Sequence, residues 1–100
     1  MMTTEKVTMM KNGEVLASGH PADVREVIED MILEKLGFCP SLQESTDDDE
    51  YEVYLHTESY DECENEQLEQ LDKLRITDDP KLATEAIKRF LQVEFELIQN

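Results

Sequence analysis

The stretch EKVTMMKNGEVLASG, residues 5–19, decides the fold prediction for this chain of 100 residues. Asn12 and Gly13 separate two segments that suit strands, and both residue types accept the positive φ angles that a two-residue hairpin turn needs. The sequence therefore predicts a β-hairpin with strands over residues 6–10 and 15–18. Because an isolated hairpin is only marginally stable, we expect a third strand beside it.

The third strand is predicted at YEVYLHT, residues 51–57, where apolar and polar side chains alternate. We expect the core-facing side chains to be Tyr51, Val53 and Leu55, and the outward-facing ones Glu52, Tyr54 and His56. Tyr54 then has two interpretations: an exposed anchor for a partner, or a side chain that packs under a neighbouring helix.

Three helices are predicted from capping residues and apolar periodicity. The first follows Pro21 and stops at Gly37, with an apolar face typical of a buried helix. The second covers residues 60–74 after a capping box at Ser59 and Glu62. The third begins at Pro80, and its apolar stripe continues to Ile98.

These elements predict an α+β fold and one domain over residues 1–100. The hairpin and the third strand form an antiparallel sheet that packs against about three helices. Between them, residues 41–50 are expected to form an acidic loop, because Pro40 and a Ser/Thr/Asp cluster interrupt regular structure.

The charge is concentrated in the middle of the chain. Twenty-five acidic and nine basic residues give a formal net charge of −16. Residues 36–72 contain thirteen Asp and Glu and no Lys or Arg, whereas residues 73–100 contain five of each sign. A surface of this sign repels nucleic acid and anionic membranes and attracts basic proteins.

Candidate partner-binding residues follow from this segregation. On the predicted second helix the spacing places five carboxylates on one face, away from the apolar arc of Tyr60, Cys63, Leu71 and Leu74. The acidic loop and the outward face of the third strand supply the other candidates. The set is Asp47, Asp48, Asp49, Glu50, Glu52, Tyr54, Asp61, Glu62, Glu66, Glu69 and Asp72.

Motifs for catalysis or metal binding are absent from the sequence. It contains no nucleophile elbow, no phosphate-binding glycine loop and no zinc-ligand spacing, so we expect no enzyme activity, cofactor or dedicated metal site. Cys39 and Cys63 are expected to be reduced thiols in a cytoplasmic protein, since neither a signal peptide nor an apolar run of membrane-spanning length is recognised.

In size, acidity and lack of catalytic motifs, the chain resembles small phage-encoded DNA mimics, including anti-restriction and anti-CRISPR proteins. This resemblance is compositional and strongest over residues 36–72. It implies an inhibitor that occupies the basic groove of a nucleic-acid-binding protein, with the carboxylates in place of phosphates. The alternative function is a small cytosolic regulatory or adaptor domain that binds a partner through apolar helix surface around Val93, Phe95 and Ile98, with the acids serving solubility.

Overall fold

The computed structural model describes residues 5–46 and 50–99, and in this part of the chain nine elements form an α+β domain. In chain order they are β1 (Glu5–Lys11), β2 (Glu14–Gly19), α1 (Pro21–Leu36), β3 (Leu42–Ser45), β4 (Glu52–Leu55), α2 (Ser59–Glu62), α3 (Asn65–Leu74), α4 (Pro80–Leu91) and β5 (Glu94–Gln99). The predicted class, an antiparallel sheet of a hairpin and a third strand packed with helices, is confirmed.

The N-terminal hairpin forms as predicted. Asn12 has φ of 54° and Gly13 has φ of 82°, and Lys11 pairs with Glu14 across the turn. These two positive φ angles match the twist of the flanking strands. A register shift between Met9 and Met10 marks a β-bulge in the pairing of β1 with β2.

The prediction that residues 51–57 supply the third strand of the hairpin's sheet is wrong. β5, from the C-terminal end of the described chain, pairs antiparallel with β1 and gives the sheet order β2-β1-β5. β4 is a strand as expected, but it pairs with β3 in a separate two-stranded sheet. Part of the predicted loop 41–50 is therefore strand β3, and residues 47–49 lie outside the described residues.

Helix α1 agrees with its prediction at both ends. The His20 Nδ1 atom accepts a hydrogen bond from the Ala22 backbone N–H at 3.1 Å, and Pro21 occupies the first helical position. At the other end Gly37 has φ of 81° and donates its N–H to Leu33 O at 2.9 Å.

Two other helix predictions need correction. The helix expected over residues 60–74 is two helices, because Cys63 and Glu64 adopt extended backbone angles between α2 and α3. The helix expected to reach Ile98 ends at Leu91, where Gln92 takes a left-handed conformation with φ of 59° and the chain continues into β5.

The core lies where α1 contacts the three-stranded sheet and β3, and where α4 packs on β4. Its fully buried side chains come from every helix of more than one turn and from both sheets. They include Val7, Met9, Val24, Ile28, Ile32, Val53, Leu55, Leu71, Ile76, Ile87 and Leu91. Tyr51, Val53 and Leu55 are buried as the alternation predicted.

Candidate functional site

The candidate site is the outer surface of α2 and α3, here called the acidic surface. It consists of seven exposed carboxylate residues within fifteen positions, and no basic residue interrupts them. They are Glu58, Asp61, Glu62, Glu64, Glu66, Glu69 and Asp72. Five belong to the predicted set, and the structure leaves all five exposed to solvent.

Helix α2 is fixed to the β3–β4 sheet by hydroxyl groups. The Ser59 side chain is fully buried, and its hydroxyl donates to Ser41 O. The Ser41 hydroxyl in turn donates to Glu62 Oε2 at 2.9 Å. Ser59 was predicted as the helix N-cap; in the structure Glu58 is the N-cap and Ser59 lies inside the helix. These bonds hold Asp61 and Glu62 at a defined place on a rigid support.

The capping box predicted at Ser59 and Glu62 does not form, and a different one opens helix α3. The Glu64 side chain accepts from the Gln67 backbone N–H, and the Glu64 backbone N–H donates to Gln67 Oε1 at 2.9 Å. Buried Leu71 anchors the inner face. Arg75, with φ of 59°, closes the C-terminal end.

The carboxylates of α3 follow its axis as a slanted row. Glu66, Glu69 and Asp72 are separated by three residues each, which corresponds to a rise of about 4.5 Å and a turn of about 60° per step. Asp61 and Glu62 lie on α2, so the five acids do not share one helical face as predicted. They form two adjoining groups on consecutive helices.

The remaining predicted site residues that the structure describes are not brought to this surface. Glu50 is exposed but lines a cleft beside Lys81 and Lys88, Glu52 is only 9% exposed, and Tyr54 is half-buried. The prediction that Glu52 faces solvent is therefore wrong. Asp47, Asp48 and Asp49 lie outside the described residues.

Tyr51 and Phe95 pack against each other inside the protein and do not form a surface for a partner. Their ring planes are 89° apart with centroids separated by 5.3 Å, and the Tyr51 hydroxyl donates to Pro21 O at 2.8 Å. Burial raises the pKa of the Tyr51 phenol above its usual range. Tyr60, expected on an apolar arc, is 42% exposed beside the acidic surface.

The apolar contact proposed around Val93, Phe95 and Ile98 does not lie on a helix. Val93 is 2% exposed, and Phe95 packs on the core. Ile98 is exposed but belongs to strand β5. The prediction that these side chains form an apolar helix surface is therefore wrong.

The histidines and cysteines have local roles. The His56 Nδ1 atom accepts the Glu58 backbone N–H at 3.1 Å, as His20 does for Ala22. Cys39 and Cys63 are free thiols. Burial, with a smaller contribution from Glu29 and Asp30, raises the pKa of Cys39 to about 12, and burial with a contribution from Glu62 raises the pKa of Cys63. Within residues 5–46 and 50–99, no three side chains of metal-ligating type converge.

Two clefts flank helix α4. One, of about 430 Å³, is lined by Glu52, Lys81, Thr84, Lys88 and Phe95 among others. The other, of about 630 Å³, lies between α4 and the end of α3. The sequence analysis did not predict this second groove. Leu82 indicates it, because this large apolar residue falls outside the predicted buried stripe of the helix, and it is 61% exposed.

Comparison with known proteins gives no relative for this chain: no family model matches it, and no curated protein or solved structure matches it either. Among the described residues, no helix has the length and apolar character needed to cross a bilayer.

Proposed function

We propose that this protein is a non-enzymatic, acidic protein-binding module of the phage inhibitor type, comparable in kind to anti-restriction and anti-CRISPR proteins. Its acidic surface would occupy the basic groove of a nucleic-acid-binding protein in the cytoplasm. The observation that supports this proposal is the uninterrupted set of seven exposed carboxylates on α2 and α3.

The physical basis of the proposal is that carboxylates on a rigid support take the place of DNA phosphates. Duplex DNA presents one negative charge per roughly 1.7 Å of axis, and binding proteins neutralise it with Lys and Arg. The α3 row is sparser, but α2 adds further carboxylates. Arg side chains of the partner would form charge-assisted hydrogen bonds with these carboxylates, and the complementary fields would accelerate encounter.

Anchoring of the acidic surface favours binding over a purely solubilising role. A charge that serves solubility needs no fixed position. Here Glu62 accepts from Ser41, and buried Ser59 ties α2 to the neighbouring sheet. Because the Glu62 carboxylate and the backbone of α2 are already held in place, less conformational entropy is lost there when a partner binds.

The experiment is a capture from bacterial lysate at low and high salt with three baits. One bait is the unchanged protein. The second neutralises three acidic-surface residues, and the third neutralises three exposed acids elsewhere with the same change in charge. The two variants are Asp61→Asn/Glu66→Gln/Glu69→Gln and Asp30→Asn/Glu34→Gln/Glu96→Gln.

We expect the unchanged protein and the control variant to capture the same nucleic-acid-binding protein at low salt. The acidic-surface variant should lose it, high salt should release it, and duplex DNA should compete with it. Capture that survives high salt and the acidic-surface substitutions would contradict the proposal. Equal loss with both variants would show that only net charge matters.

A further inference from the structure

The groove between α3 and α4 has the opposite character to the acidic surface. Here it is called the α3–α4 groove, and its volume is about 630 Å³. Its floor is apolar and its rim is basic, in a chain whose net charge is −16. Of its lining residues, the proposed function uses only Asp72.

The floor results from a small residue between two large ones on a single helix face. Leu82, Ala86 and Phe90 follow one another at intervals of four residues on α4, so their side chains lie in one row. Ala86 leaves a depression between its neighbours, and Leu74 from the end of α3 closes the side. Leu82 is 61% exposed, so much of its side chain is open to contact by a partner.

The rim consists of Lys73, Arg75 and Arg89, all of them exposed. Within the described part of the chain, none of the three forms an ion pair, although the protein has twenty-five acidic residues. Arg25, in contrast, bonds to both Glu29 and Glu44. The basic rim is therefore available to groups outside this chain.

A fourth cation, Lys35, does not line the groove but lies over the ring of Phe90, which does. The Lys35 ammonium lies 5.5 Å from the centroid of the Phe90 ring. Two acids also line the groove: Asp72, and Glu85, which pairs with Lys88 at 3.8 Å. Cations still outnumber the acids at this site, which reverses the sign that dominates the rest of the protein.

We propose that the α3–α4 groove docks an acidic amphipathic helix of a partner protein. Such a helix presents apolar residues at i, i+3, i+4 and i+7, which fit a groove between two helices, and its flanking Glu and Asp meet the basic rim. A phosphate backbone would meet the cations but would leave Leu82 and Phe90 uncovered. An uncharged apolar helix would leave the guanidinium groups of Arg75 and Arg89 desolvated without partners.

The probe is a synthetic helical peptide of about four turns with Leu and Phe in one stripe and Glu at the remaining positions. A peptide of the same composition, permuted so that the stripe is broken, is its control. Binding of each to the full chain is measured by fluorescence anisotropy, and stoichiometry by calorimetry.

Two pairs of variants test the floor and the rim. Leu82→Ser removes the exposed leucine from the groove, and Leu16→Ser does the same to a leucine on β2 that is 46% exposed. Arg89→Glu reverses a rim charge, and Lys81→Glu reverses an exposed charge that lines the other cleft. All four positions are exposed on the surface, and circular dichroism is used to check that each variant is folded.

We expect saturable one-to-one binding of the striped peptide and none of the permuted one. Leu82→Ser and Arg89→Glu should each weaken binding by about tenfold, and the two control variants should leave it unchanged. Absence of saturable binding, equal binding of both peptides or equal effects of all four substitutions would overturn the proposal.

Two further results would overturn it by identifying another occupant. One is a dimer in analytical ultracentrifugation that Leu82→Ser dissociates, which would assign the groove to a second copy of the chain. The other is binding of duplex DNA that Arg89→Glu abolishes. Since the acidic-surface variant leaves Leu82 and Arg89 intact, failure of this proposal and failure of the proposed function are distinguished.

Discussion

Two regions of this protein are stabilised in different ways. Where α1 lies over the three-stranded sheet, the interface consists of apolar side chains such as Val7, Met9 and Ile28. Around β4 and α4 the core is apolar too, but the three buried polar residues of the described chain, Glu52, Ser59 and Thr84, all lie there. Apolar burial is nondirectional, whereas a buried hydrogen bond fixes geometry. The region that supports the acidic surface is therefore the one in which directional hydrogen bonds add to apolar packing.

The largest expected effect is in the apolar region. Ile28→Ala should lower the free energy of unfolding by about 3 kcal/mol, because it removes fully buried methyl groups and leaves a cavity. The control Val15→Ala, at a residue that is 60% exposed, should change stability by less than about 0.5 kcal/mol. Urea denaturation measures the stability of both variants. An equal loss of stability in the two would contradict the assignment of Ile28 to the core and Val15 to the surface.

Thr84→Val tests the polar region while nearly conserving shape. The Val53 backbone N–H donates to Thr84 Oγ1 at 2.8 Å, and that hydroxyl lies 2.7 Å from Pro80 O. We expect a loss of about 2 kcal/mol, since the substitution leaves a buried N–H without an acceptor. Thr84→Ser keeps the hydroxyl and should be closer to the unchanged protein in urea denaturation; the reverse order would disprove the hydrogen-bond explanation.

Ser59→Ala should have a smaller effect that is concentrated in the acidic surface. Loss of the buried bond to Ser41 O should cost about 1 kcal/mol and should accelerate amide hydrogen exchange in α2. Ser41→Ala is the matched control, because it removes only the exposed bond to Glu62 and keeps the backbone acceptor. Exchange rates in α2 that do not differ between the two variants would show that Ser59 does not anchor this helix.

Gln92 connects the two regions, between α4 and β5, and its substitution should stabilise the protein slightly. Its left-handed conformation, with φ of 59°, is unfavourable for a residue with a Cβ. Gln92→Gly should raise the free energy of unfolding by about 0.5–1 kcal/mol. Gln70→Gly, at an exposed position inside α3, should lower it by about 1 kcal/mol in the same thermal unfolding assay. A loss of stability in both variants would contradict this assignment.

An effect that is absent at neutral pH and appears only in alkaline solution concerns Cys39, which follows α1. Burial raises its folded-state pKa from 9.0 to about 12, so between these values the unfolded chain has lost a proton that the folded protein retains. Its contribution to stability is therefore complete below pH 9 and declines as the pH rises toward 12. The pKa of Tyr51 is also raised, so its ionisation lowers stability in alkaline solution as well. The variant Cys39→Ala therefore separates the contribution of the thiol from that of the phenol. That variant should show a shallower decline of stability between neutral and alkaline pH.

The sequence was sufficient where short-range rules decide the structure. The Asn12-Gly13 turn needs two positive φ angles, and α1 has both a proline start and a glycine stop, so neither depends on distant contacts. The exposed carboxylates of α3 were also predictable, because helical spacing separates them from Leu71.

Other elements depend on tertiary packing or on weak local patterns. β5 was missed because apolar residues on α4 were extended through Gln92, although residues 94–97 alternate polar and apolar side chains as a strand does. The break at Cys63 has neither glycine nor proline, and its one local sign is the Glu64–Gln67 capping box. Glu52 was misplaced because strand alternation assumes one solvent face, whereas α4 packs on β4.

The hydrogen bonds around the β3–β4 sheet also bear on aggregation. Unpaired backbone groups on a strand edge can recruit a strand from another molecule. On β4 the N–H groups of Val53 and Leu55 are already bonded to Thr84 Oγ1 and to Thr77 O, and on β3 the Leu42 carbonyl accepts from Arg25. These groups are therefore not free to pair with another molecule, and in the larger sheet edge-to-edge growth is opposed by the like charges of Glu94 and Glu96 on β5 and by the bulged pairing of β2.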